Sequence, residues 1–560
     1  MSGSPNAIEV SNLSFRYPRA SRAALDDISL SIRSGVCAAI IGHSGCGKST
    51  LCYTFNGLIP NFISGRLDGS IAINGASVSG RPTAALAQSV GLLFQDFESQ
   101  LFSTTCELEV AFGPENYRVA PEELRCRVDK YLKLVGLDSL RRCNPATLSG
   151  GQKQRLAVGS VLALEPGIVV LDEPTTDLDA EGQASIQHLA LHLRGSGRTL
   201  VMVEHDVEAL AAADEIVLMK NGRVVTHDHA DGVLQEVELL AECGVRPPQL
   251  AQLLHILGIR AAGLTVDDCV AALRKSGRRA DKIGAPPSLA SAPPVLEFRD
   301  VSYAYPGGRG TALQEVSLTV REGEFIAVVG GNGSGKTTLG MLLSGLLVPT
   351  AGTVTITGAD ARSLRRPALA KLVGYVFQNP DNQIFSSTVV GEVSFAPRNF
   401  GILSAEIDTR VSEALHAVGL DGVEEDDPFA LTKGQRQRVA VASVLVSRPR
   451  VLILDEPTTG LDYQQQLGMM DMLARLNRQG HTIIIITHSM WAACDYTSRT
   501  LVLRDGSIVL DGSTRDVFTM EDVLASAGLR PPPIVQLSNR LGAGALTVPE
   551  MVTALSGPGD

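Results

Sequence analysis

At 560 residues the chain is too long for one hydrophobic core, so two large domains with small additions are expected. Its composition, 44% hydrophobic and 19% charged, is that of a globular protein and excludes a disordered one. With 60 acidic against 49 basic residues the net charge is -11, which argues against electrostatic wrapping of nucleic acid.

Nine cysteines are scattered without a C-x-x-C pair or a cluster with histidine, so neither a disulfide framework nor a zinc site is expected, and a reducing compartment is favoured. Met1 to Asn6 lacks the basic and apolar regions of a signal peptide, and no run approaches the ~20 apolar residues that cross a bilayer. The chain is therefore expected to be soluble by itself and to work at a membrane only through other chains.

In chain order, VCAAII (36–41) predicts a strand buried on both faces, because its apolar run is unbroken. It leads into GHSGCGKS (42–49) and a predicted helix. IVVLDE (168–173) predicts a second buried strand ending in two carboxylates, and LVMVE ends a third before His205. GVRPPQLAQLLHILGI places Leu250, Leu253, Leu254 and Leu257 at helical spacing, and Thr265 with Asp268 has capping-box spacing at a helix start. These tail helices read as packing helices, with partner binding or dimer stabilisation as the alternative. Residues 277–294, rich in Pro, Ala and Ser, read as a linker. The series then returns as FIAVVG (325–330), GNGSGKT within 330–337, VLILDE (451–456), IIIIT before His488, GLRPPPIVQLSNRLGA, and Thr547 with Glu550.

The return is an internal duplication. Lys48 aligns with Lys336 at an offset of 288, whereas Gln95 with Gln378, Asp172 with Asp455, and His205 with His488 align at 283. Extra residues in the first copy around Asn61 to Gly65 account for the difference. Strands and helices alternate in each half, which predicts an α/β layered core.

A loop of this kind needs glycines so that backbone N–H groups can turn inward around phosphate oxygens. Gly42, Gly45 and Gly47 supply them in the first half, and Gly330, Gly333 and Gly335 in the second. The following helix presents its N-terminal dipole to an anion. Lys48 and Lys336 suit the outer phosphates, Ser49 and Thr337 a Mg²⁺ ion. Asp172 and Asp455 suit the metal shell, and Glu173 and Glu456 can polarise an attacking water.

With LSGGQ (148–152) and its altered counterpart LTKGQ (431–435), the chain resembles the ATP-binding-cassette family, every motif of which occurs twice over nearly its whole length. The resemblance implies an α/β fold of two tandem P-loop ATP-binding-cassette domains. Each would be a RecA-like core with antiparallel β and α-helical subdomains and a small helical C-terminal extension. The expected boundaries are 1–232 and 233–276 for the first cassette and its extension, 277–294 for the linker, and 295–517 and 518–560 for the second pair.

The resemblance further implies an ATPase that uses ATP and Mg²⁺, with Glu173, Glu456, His205 and His488 as catalytic residues, the histidines at the γ-phosphate. Tyr17 and Tyr305 are expected to stack on adenine. Further nucleotide contacts are expected from Ser44, Thr50, Asn332 and Thr338 beside the loop glycines, lysines, Ser49 and Thr337. Signature contacts would come from Ser149, Gly151 and Gln152, and from Thr432, Gly434 and Gln435. Gln95 and Gln378 would sense both Mg²⁺ and the transport partner, joining Ser49, Asp172, Thr337 and Asp455 as metal residues. Asp179 and Asp462 would lie in loops crossing the dimer interface.

In this family two cassettes meet head to tail, so the halves are expected to form an intramolecular pseudo-dimer with two unequal ATP sites. Lys48 and Glu173 would work with LTKGQ, and Lys336 and Glu456 with LSGGQ. Lys433 replaces a signature glycine where backbone approaches phosphate, which makes the Glu456 site the expected stronger hydrolytic site; simple tolerance of Lys433 is the alternative.

QDFESQLFSTTCELEVAFGPEN (95–116) and QNPDNQIFSSTVVGEVSFAPRN (378–399) are unusually alike and resemble the ATPases of energy-coupling-factor importers of vitamins and metal ions, as do the RPP-containing tails. That resemblance implies a transmembrane coupling subunit and a substrate-binding membrane subunit as partners, no nucleic acid, and a peripheral place on the cytoplasmic face of the cell membrane. A fused sugar-importer ATPase and a tandem cassette acting on the ribosome are the alternatives. The short Ala/Pro-rich connector speaks against the ribosomal one. Three features read as unremarkable: Cys46 in the loop, Trp491 as a packing residue, and Glu424 to Asp427 as a solvated loop.

Overall fold

The runs marked in the sequence as buried strands are the central strands of parallel sheets in the structure, a computed structural model that describes residues 6–175, 178, 180–204, 207–210, 213–284, 292–307 and 310–556. The chain divides into two compact units, Met1–His255 and Ile256–Asp560. The first contains strands β1 (Asn6–Arg16), β2 (Leu25–Arg33), β3 (Cys37–Ile41), β4 (Arg66–Ile73), β5 (Ala76–Ser77), β6 (Val90–Leu93), β7 (Ile168–Asp172), β8 (Thr199–Val203), β9 (Glu215–Lys220) and β10 (Arg223–His229). They form an antiparallel sheet in the order β2-β1-β4-β5 and a six-stranded sheet in the order β10-β9-β3-β8-β7-β6. In the second sheet all pairings are parallel except that of β9 with β10.

The second unit repeats this plan with β11 (Pro294–Tyr303), β12 (Leu313–Arg321), β13 (Phe325–Val329), β14 (Ala351–Ile356), β15 (Ala359–Asp360), β16 (Val373–Val376), β17 (Val451–Asp455), β18 (Thr482–Ile486), β19 (Arg499–Arg504) and β20 (Ser507–Ser513). Its sheets run β12-β11-β14-β15 and β16-β17-β18-β13-β19-β20. Every residue of β3, β7, β13, β17 and β18 is buried, as strands covered on both faces require. The antiparallel strands are apolar on one side only. In β1 the inward positions step from Ile8 and Val10 to Leu13 and Phe15, and the change of phase falls at Asn12, which takes φ 47°. Asp300, at φ 50°, does the same between Phe298 and Val301 in β11.

The core of the first unit lies on both faces of its parallel sheet. Between its sheets it packs Ile8, Phe15, Ile40, Leu51, Phe55 and Val201. On the other face of the parallel sheet, helices Cys106–Asn116, Pro121–Leu134 and Gly150–Leu162 bury Val110, Tyr131 and Leu156 against Leu93 and Leu171. These are the RecA-like, antiparallel β and helical parts expected of each cassette. Among the described residues no helix is long and apolar enough to cross a membrane.

The tails repeat one device. Helix Gln249–Ile256 follows a Pro pair, and Gln252 Nε2 donates to Pro247 O at 2.7 Å; Gln536 Nε2 donates to Pro531 O at 2.7 Å beside helix Pro533–Leu541. Thr265 and Asp268 form a complete capping box. Thr547 accepts from Glu550 N, but the Glu550 carboxylate turns to Arg515 and to Leu546 N, so the second box is half made. Within the second unit helix Val266–Lys275 packs on helix Pro533–Leu541, and Arg540 pairs with Asp267. The backbone following that helix is also docked there: Asp281 N donates to Ala554 O and Ile283 N to Ala543 O, both at 2.8 Å.

Leu273 is 1% exposed in this packing. Leu273→Asp should destabilise the second unit by about 3 kcal/mol or more, read as a lower melting transition in calorimetry of the full chain. Arg540→Ala, which removes only an exposed ion pair, should change it by less than about 1 kcal/mol.

Candidate functional site

Each loop between β3 or β13 and the next helix turns sharply enough to need glycine. Gly47 and Gly335 cap helices Lys48–Phe55 and Lys336–Leu343 at φ 107° and 102°. A Cβ on either would stand 2.5 Å from Ala24 O or 2.7 Å from Ala312 O. The lysine that opens each helix folds back over the loop: Lys48 Nζ donates to Gly42 O and His43 O at 2.9 Å. Lys336 Nζ donates to Gly330 O at 2.9 Å and Gly331 O at 3.0 Å. An ammonium, a helix N-terminus and a tight loop therefore converge at one point in each unit, which is the arrangement an outer phosphate requires.

Tyr17 and Tyr305 are tied to the same helices. Their hydroxyls lie 3.0 Å from Thr50 Oγ1 and 3.1 Å from Thr338 Oγ1. Each ring packs edge-on against its neighbour, Phe15 or Tyr303, with centroids 4.9 Å apart. Cys46, by contrast, is wholly buried, with Sγ 4.0 Å from Lys48 Nζ. Burial raises its thiol above the ordinary value despite the pull of that lysine, so it is poorly suited to react as a thiolate.

The carboxylate pairs sit where β7 and β17 end. Asp172 and Asp455 are 1% and 4% exposed, and Glu173 and Glu456 follow in the left-handed region at φ 52° and 48°. A non-glycine residue held there in both copies is strained, a feature that collects at functional sites. The backbone of each glutamate is pinned by the next strand, Glu173 N donating to Val203 O at 3.0 Å and Glu456 N to Ile486 O at 2.8 Å. Gln95 Nε2 donates to Glu173 Oε2 at 2.8 Å, and His488 Nδ1 lies 2.9 Å from Glu456 Oε2.

Asp455 is held from several sides. Tyr375 OH donates to its Oδ2 at 2.9 Å, while Oδ1 is buried without a hydrogen bond. Burial pushes this carboxyl up from its ordinary value; the hydroxyls of Tyr375 and Thr337 pull it down, the Glu456 charge raises it, and Lys336 lowers it. Burial and the Asp455 charge raise the Tyr375 phenol, which stays protonated as a donor. Near Asp172 the phenol of Tyr53 is pushed up to about 12, by burial first and the Asp172 charge second. The orphan Oδ1, a hydroxyl and a carboxylate are hard oxygen donors of the kind Mg²⁺ takes.

The segments after Gln95 and Gln378 are built alike, which accounts for their repeated pattern. Gln100 Oε1 accepts from Phe94 N at 2.9 Å and Gln383 Oε1 from Phe377 N at 3.2 Å, closing the loop. Buried Glu109 accepts from Phe102 N and Ser103 N at 3.1 and 2.8 Å, and Glu392 from Phe385 N and Ser386 N at 3.0 and 2.9 Å. The result is an exposed aromatic pair in each unit: Phe102 with Phe112, centroids 4.5 Å apart, and Phe385 with Phe395 at 4.7 Å. Phe102 and Phe385 are 61% and 60% exposed. Sequence reasoning missed these four residues, although Phe after the second glutamine of both segments was a visible signal.

In the signatures, Ser149 with Gln152 and Thr432 with Gln435 form complete capping boxes at helices Gly150–Leu162 and Lys433–Leu445. Gln154 Nε2 donates to Pro174 O at 2.5 Å, tying the first of these helices to the turn after Glu173. Lys433 lies over Gly460: its Nζ is 2.1 Å from where a Cβ on that glycine would stand. Asp462 caps helix Tyr463–Arg478 by accepting from Gln465 N at 2.9 Å. Asp179 and His205 lie outside the described residues. The acidic run is more than a solvated loop, because Asp426 O and Glu424 O accept from Val389 N and Val390 N at the start of helix Val389–Asn399.

A profile of the ABC transporter family matches residues 25–176 and 313–459. A candidate ABC transporter ATP-binding protein of Caldanaerobacter subterraneus subsp. tengcongensis is 44% identical over 566 residues, covering 99% of this chain and 99% of its own. A candidate of the same description from Methanosarcina acetivorans is 37% identical, covering 98% of this chain and 92% of its own. Among solved structures, cbiO1 of Clostridium perfringens, described as part of the ABC transporter complex cbiONQ, is 36% identical over 44% of this chain and 98% of its own, with a TM-score of 0.39.

Gly47→Ala and Gly335→Ala force a Cβ into both a left-handed turn and a backbone oxygen. Each should weaken nucleotide binding at its own loop by tenfold or more, read by titration of the full chain with a fluorescent ATP analogue.

Proposed function

The chain belongs to the ABC transporter family, and we propose that it is the motor subunit of a membrane importer of energy-coupling-factor type. It is an ATPase of two tandem cassettes. In our reading it drives uptake of a vitamin or metal ion through a separate coupling subunit and a substrate-binding membrane subunit, at the cytoplasmic face of the membrane. The observation that carries this is the paired segment after Gln95 and Gln378, with its duplicated exposed aromatics. Apolar surface displayed twice, on a backbone braced by a buried glutamate each time, suits two helices of one apolar partner. In the second unit a groove of about 290 Å³, with Leu346, Leu369, Phe377, Ala396 and Phe400 among its lining residues, adjoins that segment.

In the proposed reaction Lys48 or Lys336 exchanges its loop carbonyls for the outer phosphates of ATP. Glu173 or Glu456 orients the attacking water and accepts its proton, held in place by the strained backbone at the strand end. His488 fixes the carboxylate of Glu456 at 2.9 Å and is the candidate contact to the γ-phosphate in that half. Ser49 with Asp172, and Thr337 with Asp455, would hold Mg²⁺, which when bound neutralises charge on the phosphates. By family resemblance each loop works with the signature of the other half, so Lys433 falls to the Glu173 site and the intact LSGGQ to the Glu456 site.

Two experiments test this. Phe102→Asp combined with Phe385→Asp should abolish recovery of membrane proteins with the tagged chain from detergent extracts, with ATP binding retained. Ribosomes in place of membrane proteins would overturn the importer reading. Glu456→Gln should remove the larger share of ATP turnover in steady-state assays and Glu173→Gln the smaller, and the reverse order would refute the assigned inequality.

A further inference from the structure

The two halves differ at a buried position behind the metal-site carboxylate. In the second, Tyr375 of β16 donates its hydroxyl to Asp455 Oδ2 at 2.9 Å, leaving Oδ1 buried without a hydrogen-bond partner. In the first, the aligned residue of β6 is Leu92, which offers no donor. The neighbouring helix has changed to match. Gly340 lies in helix Lys336–Leu343, and a Cβ there would stand 3.1 Å from Tyr375 Cε2 and 2.5 Å from Ile486 Cδ1. Its counterpart in the first half is Cys52, fully buried. Glycine inside a helix is unfavourable by about 1 kcal/mol relative to alanine, so the space it leaves has a use. Ile486 Cδ1 and the edge of the tyrosine ring border that space, and the ring meets Phe377 edge-on with centroids 5.1 Å apart.

We propose that Tyr375 is a positioning residue of the second nucleotide site alone, occupying one oxygen of Asp455 so that the other is fixed for the divalent metal that accompanies ATP. This rests on reading Asp455 as the metal residue of that site. A carboxylate with one oxygen tied by a buried donor loses a rotational choice, and only Oδ1 remains to bind. Outer partners of this kind typically change metal affinity by roughly ten- to a hundredfold.

The test titrates Mn²⁺ into the full chain with a non-hydrolysable ATP analogue, with free Mn²⁺ counted by electron paramagnetic resonance. Tyr375→Phe keeps the ring and removes the hydroxyl; it should weaken one of two Mn²⁺ sites by tenfold or more, leaving the other, and analogue binding in EDTA, unchanged. Tyr375→Leu, the residue of the first half, should give the same split. Unaltered Mn²⁺ affinity in both variants overturns the proposal. So does equal weakening of both sites or loss of analogue binding in EDTA, either of which makes the tyrosine a packing residue. Asp455→Asn separates the two readings: if it leaves both Mn²⁺ sites intact, the assignment of Asp455 falls, whereas loss of one site with Tyr375→Phe silent removes only the role of the tyrosine.

Discussion

Two carboxylates at the buried end of an apolar strand are the constraint around which each cassette is arranged. Strands β7 and β17 are wholly buried, so Asp172, Glu173, Asp455 and Glu456 leave the sheet with little water to solvate them. A buried charge without donors is costly. The surrounding architecture supplies partners: Gln95 beyond β6 for Glu173, His488 beyond β18 for Glu456, and the Tyr375 phenol of β16 for Asp455. The parallel order of the six-stranded sheets brings these strand ends to one edge. Both glutamates take a positive φ where the strand ends, which a regular extended residue does not do.

The chemistry of the loops was legible in the sequence because it is local. Glycine spacing, the following lysine and the apolar strand before them all lie within a dozen residues, and the structure keeps each in the expected conformation. The tail caps were legible for the same reason, except that Glu550 found Arg515, a partner 35 residues away. What sequence could not reveal is set by contacts between distant elements. The four exposed phenylalanines take their meaning from Glu109 and Glu392, whose burial no local pattern announces. The packing of Val266–Lys275 on Pro533–Leu541 joins residues more than 250 positions apart. Repetition was the aid that reached furthest, since a pattern kept in both copies marks a constraint even before its contacts are known.

Where the copies differ, glycines stand beside the larger side chains. Lys433 Nζ lies 2.1 Å from where a Cβ on Gly460 would stand, and Ile486 and Tyr375 border the space at Gly340. Such pairs follow from close packing, since interiors at crystal-like density admit a larger side chain only where a neighbour recedes. One such difference lies at a carboxylate: Tyr375 donates to Asp455 Oδ2, and the aligned residue of the first half is Leu92.

The same reasoning gives Tyr375 a second consequence. Its hydroxyl is on Asp455, yet its ring lines the groove beside Phe377, Ala396 and Phe400. The ring meets Phe377 edge-on and borders the Gly340 gap while its hydroxyl keeps the hydrogen bond. One side chain therefore joins the groove to the carboxylate, whereas the aligned Leu92 of the first half has no polar end. Two loops with the same glycines and lysines thus sit in surroundings that connect differently to the rest of their units, and the inequality of the halves reaches from the signature to the carboxylate itself.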